Sequence, residues 1–473
     1  MTDERPILLW LRRDLRLTDH PALDAACRTG RPVIPVFIHD EVVERLGAAP
    51  KWRLGLGVER FAQALSGAGS RLICRRGPAL DVLRALVAET GAGAVFWSRL
   101  YDPDSRARDT GVKAGLRAAG LTAQSFPGHL LFEPWTVATG AGGFYKVYSP
   151  FWRAVKQRDP AAPLPAPAAL AGPAVWPRSD DPADWGMGTA MGRGAAIVAP
   201  NLAVGEAAAR ARLHDFLSEG IADYGEARDF PARAATSRLS ENLSCGEISP
   251  ATVWRAARHA FDAGATGAET FLKQLIWREF AWHLLYHTPH MATRNWRAGW
   301  DGFPWSEEDS RPEVVAWKQG RTGVAFVDAA MRQMYVTGTM HNRARMIAAS
   351  YLTKHLLTHW RVGQAWFEQC LVDWDPAANA MGWQWVAGSG PDAAPYFRIF
   401  NPDTQLRKFD PDGTYADTWL AEGRRTPHPS ALRYFDAVPR RWALSPHDIY
   451  PAPVVGLAEG RARALAALAN RGG

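Results

Sequence analysis

Two kinds of hydrophobic spacing divide this chain. In its first third, apolar runs recur at 7–11, 33–38, 71–74 and 94–97, each about the length of a strand buried on both faces. Between them, the stretches 54–65, 79–88 and 106–119 repeat their apolar positions at the helical period. Strands alternating with helices imply a parallel sheet covered on both faces, so a doubly wound α/β domain is expected over residues 1–130. After the first run come Arg12, Arg13, Asp14, Leu15 and Arg16, where a dinucleotide cradle would carry Gly-x-Gly-x-x-Gly. The glycines that let a pyrophosphate approach the backbone are absent, and a nicotinamide cofactor is not expected.

The sequence YKVYSPF then leads into AAPLPAPAALAGPAVWPRSDDP. Proline at this density removes backbone donors and fixes φ, so residues 131–205 read as an interdomain connection. From residue 206 onward only helical periodicity is found, over 206–223, 250–261, 267–287, 324–336, 342–358 and 363–371. A second, larger, all-α domain is therefore expected over 206–473.

Composition narrows the class without deciding it. A chain of 473 residues exceeds what one core usually serves. The formal charge of +7 favours a polyanionic partner over a neutral one. Cys27, Cys74, Cys245 and Cys370 stand far apart in no metal or cluster spacing and read as reduced thiols. The start lacks a basic leader and long apolar run, and no stretch is long enough to span a bilayer. A cytoplasmic protein without a membrane partner is expected.

The chemistry concentrates between residues 271 and 399, which hold eleven of the 21 tryptophans. Indoles at that density beside Arg, Asn, Asp and His suggest an aromatic-lined cavity. Just before it, Tyr224, Arg228 and Asp229 precede Thr236, Ser237, Arg238, Leu239 and Ser240, hydroxyls and a guanidinium that suit a phosphate; helix capping is the competing use. Gln274, Trp277 and Arg278 are three and four residues apart, so amide, indole and guanidinium share one helix face, a wall for a flat ring. Asn342 and Met346 share another face, beside His341, Arg343 and Arg345. Asp373 and Asp375 lack the company of oxygen ligands a metal would need, and no metal is expected.

In order, LLWLRRDLRLTDHPAL, YKVYSPF, TSRLS, LIWREF, MHNRARM, GWQW and DAAPYFRIFNP resemble the photolyase and cryptochrome family, and most of all its class I enzymes for cyclobutane pyrimidine dimers. The resemblance implies FAD folded in the helical domain, with Tyr224, Thr236, Ser237, Arg238, Leu239 and Ser240 at its phosphates and ribityl chain. It puts the pair Arg345 and Asp373 beside the flavin ring, with Asp375 as another contact and Asn379 facing N5. It implies light-driven electron donation from reduced FAD to a dimer flipped out of UV-damaged DNA. Trp277 and Trp385 would pack on the lesion, Gln274 would hydrogen-bond it, and Asn342, Arg343 and Arg398 would contact substrate and backbone, with Arg228, Arg278 and Met346 in the same substrate set. Trp383, Trp360 and Trp305 would relay electrons to oxidised flavin. A monomer is expected.

Two departures matter. Gln274 stands where most dimer enzymes carry Glu; an amide donates a hydrogen bond but no proton. Enzymes for the six-four photoproduct also carry Gln there, but with histidines where this chain has Asn342 and Met346, which leaves dimer repair the better reading. Asn379 in place of the acid of plant-type cryptochromes favours repair over signalling, the other alternative. A second, antenna chromophore is implied, a deazaflavin or a folate; Asp104 and Ser105 occupy positions where folate binders have Asn and Glu.

Overall fold

The computed structural model describes residues 4–392 and 397–472. Five parallel strands, β1 (Ile7–Leu11), β2 (Val33–His39), β3 (Ile73–Arg76), β4 (Ala94–Ser98) and β5 (Thr122–Phe126), form one sheet in the order β3-β2-β1-β4-β5. Ile7 lies opposite Val33 on one side and Ala94 on the other. Ile7, Leu9 and Leu11 face Leu54, Val58 and Phe61 of the helix Ala48–Gly67. Leu8 and Trp10 face Leu83 and Leu86 of Ala79–Thr90 and Val112 and Leu116 of Pro103–Ala118. Both faces are covered, which is why these strands read as unbroken apolar runs. β5 escapes that criterion: it is the sheet edge, reads TAQSF and buries only Ala123.

The chain runs from β1 to β2 on one side while β4 lies on the other, so the loops after β1 and β4 part at the carboxyl edge of the sheet. Doubly wound proteins bind ligands at that position. Here side chains fill it. Arg12 donates to the Ser98 carbonyl and to Asp109 (3.2 Å), Arg108 donates to Asp109 and Asp40 (2.8 Å each), and both guanidinium groups lie over Trp10, at 4.1 and 4.8 Å. Arg16 donates to the carbonyls of Asp19, Gly128 and Gly246. The arginine run after β1 thus ties the α/β unit to the helices.

The proline-rich run contains no helix or strand between residues 158 and 181. It packs back on the sheet: the Leu164 carbonyl accepts from Asp19 N–H at 2.7 Å, Ala171 from Val33 at 2.8 Å, and Asp180 donates to Cys74 at 2.8 Å. Just before it, YKVYSPF enters a short helix, Tyr148–Val155.

Beyond residue 205 the described residues form helices and no named strand. Pro250–Asp262 begins with Pro250 at its first position and the Ser249 hydroxyl accepting from Thr252 N–H at 3.0 Å, a direct reading of the sequence. Ala268–His287 and Ala325–Thr337 also run as the periodicity predicts. Two long stretches differ. The first is α-helical over Glu206–Asp215 and then opens into the π turn Phe216–Gly220; the second is α-helical over Asn342–Ser350, then the π turn Tyr351–His355. In the wider second turn Lys354 reaches the Ala387 carbonyl, and the Thr353 carbonyl accepts the Trp305 indole N–H at 2.8 Å. The helix expected at 363–371 starts three residues earlier, as Trp360–Cys370, because His359 caps it. Periodicity alone does not mark Pro376–Ala387, whose apolar residues surround the helix; Asp375 caps it, accepting from Ala378 N–H at 2.8 Å.

Candidate active site

The helical region brings most of the predicted residues toward one place. Arg345, on Asn342–Ser350, donates from Nη2 to both oxygens of Asp373, at 2.9 and 2.7 Å. Ser240 Oγ adds a third bond to that carboxylate, at 2.7 Å, and the Asp373 side chain is only 4% exposed. Burying a carboxylate this far is costly without such donors around it. Asp375 accepts the Trp282 indole N–H at 3.0 Å besides capping its helix.

Tyr224 is buried, edge-on to Phe216 and Phe271, with the Arg228 guanidinium 5.4 Å above its ring. Thr236 and Ser237 are half-buried, and Leu239 is buried at the start of the helix Ser240–Cys245. That helix has no side-chain cap, so capping does not account for the hydroxyls. Arg238 has φ 53, a left-handed conformation costly for arginine, and donates to the Asn201 carbonyl at 3.2 Å.

The aromatic wall is built from three segments. Trp277 lies face to face with Tyr148 of the YKVYSPF segment, ring centroids 3.7 Å apart and planes 4° from parallel. The Tyr148 hydroxyl donates to the Lys273 carbonyl at 2.7 Å, one turn from Trp277, and burial pushes the phenol pKa up. Asp392 lies close enough to Tyr148 for its charge to help raise the phenol, and burial raises its own pKa; its carbonyl accepts the Trp385 indole N–H at 3.1 Å. Tyr148, stacked on Trp277, and Asp392, bonded to Trp385, are thus neighbours, with Gln274 half-buried one turn before Trp277.

Arg278 does not join that wall. Its guanidinium donates to the His129 carbonyl at 3.1 Å, which ties this helix to the end of the α/β unit, and to its neighbour Glu279 at 2.9 Å. Asn342 is exposed, its amide 3.8 Å from the Met346 sulfur. Arg343 donates to Asp229 and stacks 4.3 Å over Phe409. These residues, with Arg398, Phe400 and Lys408, line a cleft of about 610 Å³. Sequence reasoning singled out Asp229, Arg343 and Arg398 there but not Phe400, Lys408 or Phe409. The basic residues of FRIFNPDTQLRKF were the available signal.

The three relay candidates are buried. Trp360 is fully enclosed and donates to Asn295 at 2.8 Å; Trp305 and Trp360 each stand 5.3 Å, centroid to centroid, from the His359 ring between them. Trp383 packs edge-on to Phe367 at 4.8 Å. Asn379, one turn before Trp383, donates from Nδ2 to the Gln364 carbonyl at 3.1 Å. In the α/β unit, Asp104 pairs with Arg45 at the surface and Ser105 N–H is capped by Asp102, so neither position offers a folate the expected side chains. Residues Ala393, Ala394, Pro395 and Tyr396 of the DAAPYFRIFNP sequence lie outside the described residues.

Three observations bear on whether a group could be held among these helices. The indole nitrogens of Trp374 and Trp383 and His341 Nε2 are buried without a hydrogen-bond partner among the described residues. A methyl group added at Gly382, one turn past Asn379, would meet nothing within 4 Å. The Arg345 and Asp373 pair supplies fixed charge between them. Burial also pushes the His341 imidazole down to about 4, so its ring is neutral near pH 7.

The chain matches two family descriptions: DNA photolyase over residues 7–168, and FAD binding domain of DNA photolyase over residues 271–470. It is 44% identical to the deoxyribodipyrimidine photo-lyase of Agrobacterium fabrum, covering 98% of both chains. It is 33% identical to Cryptochrome-1 of Arabidopsis thaliana, over 98% of this chain and 70% of that one. A crystal structure described as a bacterial class III photolyase from Agrobacterium tumefaciens superposes with a TM-score of 0.91 at 43% identity, covering 100% of this chain and 98% of that chain. The likeness to class I enzymes is therefore not carried by these matches, while the likeness to photolyases is.

Proposed function

Because this chain belongs to the DNA photolyase family, a deoxyribodipyrimidine photo-lyase with an FAD-binding helical region, we propose that it repairs cyclobutane pyrimidine dimers in DNA with blue light. The observation that carries this reading is the wall of Trp277, Tyr148, Asp392 and Trp385 with Gln274 beside it. Two indoles held rigid at the mouth of an aromatic site suit two fused pyrimidines that have left the duplex, a lesion cheaper to flip than an intact pair. We read the chain as an α/β domain over 1–130, a connection over 131–205 and a helical domain over 206–473.

In this proposal Thr236, Ser237, Arg238, Leu239 and Ser240 hold the FAD phosphates and ribityl chain with Tyr224, and Asp373, Asp375 and Asn379 line the flavin ring. Bound there in reduced form, FAD supplies on illumination the electron that opens the cyclobutane ring and takes it back. Arg345 is fixed by Asp373, so its charge is preorganised and costs no rearrangement during the reaction. The Asn379 amide accepts and donates hydrogen bonds but releases no proton at neutral pH, which keeps the site from protonating its cofactor. Gln274 donates an N–H to a pyrimidine carbonyl and steadies the charge that develops there. Arg343 and Arg398, with Arg228 and Asn342, take the DNA backbone.

The test is a substrate comparison with reduced protein under blue light. Oligonucleotides carrying a cyclobutane dimer are expected to return to undamaged bases, and those carrying a six-four photoproduct are expected to remain. Repair of the six-four photoproduct alone, or a light response without repair of either, would overturn the assignment.

A further inference from the structure

The helix Trp360–Cys370 lies against Pro376–Ala387 at one point of unusually close approach. A Cβ on Gly363 would sit 2.0, 2.4 and 2.6 Å from three carbons of the Trp383 six-membered ring. No side chain fits there without moving the indole. The next residue, Gln364, offers its carbonyl to Asn379 Nδ2 at 3.1 Å, and its own amide is tied to the Ala292 carbonyl at 3.2 Å. Asn379 and Trp383 are four residues apart on one helix face, so the same stretch of the neighbouring helix seats both.

We propose that Gly363 and Gln364 form the positioning element of the relay site: the bare Gly363 backbone seats the Trp383 ring, and the Gln364 carbonyl sets the Asn379 amide. The inference rests on the reading of Trp383 as the relay member nearest the flavin. Gly363 sits one turn after Trp360, so its missing side chain brings Trp383 toward the turn that carries the next indole. With Nδ2 committed to Gln364, the amide oxygen is the end of Asn379 turned toward the site. With FAD bound, Trp383 would supply one electron to the photoexcited oxidised flavin and would be refilled in turn by Trp360, Trp305 and an added thiol. Moving the Trp383 ring lengthens the first of these steps.

The experiment uses the full-length FAD-loaded protein and the variants Gly363→Ala, Trp383→Phe and Ala365→Gly, the last an exposed position on the same helix that tests helix weakening alone. Photoreduction of oxidised flavin with added thiol and the flavin fluorescence lifetime are measured at equal FAD content. Gly363→Ala is expected to lengthen the lifetime and slow photoreduction by roughly tenfold or more, the scale on which an ångström of misplacement acts, while Ala365→Gly changes neither. Wild-type behaviour of Gly363→Ala alongside loss of photoreduction in Trp383→Phe would overturn the proposal alone. Unchanged photoreduction in Trp383→Phe would overturn the relay reading and the proposal with it. If Gly363→Ala retains no FAD, melting temperatures of the apoprotein decide: Gly363→Ala must cost less in the Trp383→Phe background than in wild type, and an equal cost in both would refute the ring contact.

Discussion

Tyr148 lies flat on Trp277, centroids 3.7 Å apart, and its hydroxyl is bonded to the backbone of the helix that carries the indole. The stack covers one face of Trp277; in the proposed function the opposite face takes the lesion. Replacing Tyr148 by Leu is expected to weaken binding of dimer-containing DNA by about tenfold, the worth of one aromatic stack. Tyr148→Phe, which keeps the ring, should lose far less. Binding titrations in the dark would show this, and equal losses in the two variants would count against the stack as the cause.

In the proposed function Gln274 gives the lesion a neutral hydrogen bond where a protonated acid could give a stronger one. Gln274→Glu is expected to raise the quantum yield of repair at neutral pH or below, measured on reduced protein with saturating substrate. A lower yield in the variant would show that the amide is better matched to this site.

Asp373 holds Arg345 with two bonds and accepts a third from Ser240. Asp373→Asn leaves the guanidinium without its counter-charge, and since Arg345 is 28% exposed the cost is set near the low end for broken ion pairs, about 2 kcal/mol. The expected signs are a lower melting temperature and a lower FAD content after purification. Full retention of FAD would remove Asp373 from the cofactor site.

His341 makes stability fall on the acid side of neutrality. Its Nδ1 accepts from Arg343 N–H at 3.2 Å as the helix cap, and burial holds the ring at about 4 against an ordinary 6.5. The unfolded chain takes up a proton near 6.5 and the folded one does not, so stability is complete above that pH and declines as pH drops toward 4. The loss from this group is at most about 3 kcal/mol. His341→Asn, which can still cap, should lessen the fall in melting temperature between pH 7.5 and 5 by this group's share, the rest coming from buried histidines such as His283, His355 and His359.

Arg343 lines the basic cleft, stacked on Phe409 and paired with Asp229. If its remaining capacity takes one phosphate, Arg343→Ala will lower the slope of log affinity against log salt by about 0.9. A parallel line of lower affinity would assign it a structural role.

Much of this was legible in the sequence because both faces of β1 and β2 are buried and their apolar runs are unbroken. The cap at Ser249 was legible for local reasons, since a capping side chain and a following proline are neighbours in the chain; Asp375, which caps Pro376–Ala387, was read as a cofactor contact and not as a cap. β5 was hidden by its edge position, where polar residues satisfy the outer face. Tyr148 and Gly363 were hidden for a different reason. What they do depends on Trp277 and Trp383, which are distant in sequence, and neither a tyrosine nor a glycine announces such a partner. Arg278 was placed on the substrate wall because it shares a helix face with Gln274 and Trp277; spacing gives the face but not the neighbour, which proved to be His129.

The most direct test is a single blue flash on reduced, FAD-loaded protein mixed with an oligothymidine carrying one dimer, with a dark sample beside it. The account predicts undamaged thymines after the flash and none in the dark, and a loss of most of that product in a variant with both Trp277 and Trp385 replaced by Leu. Intact dimer after illumination of the wild-type protein would contradict it.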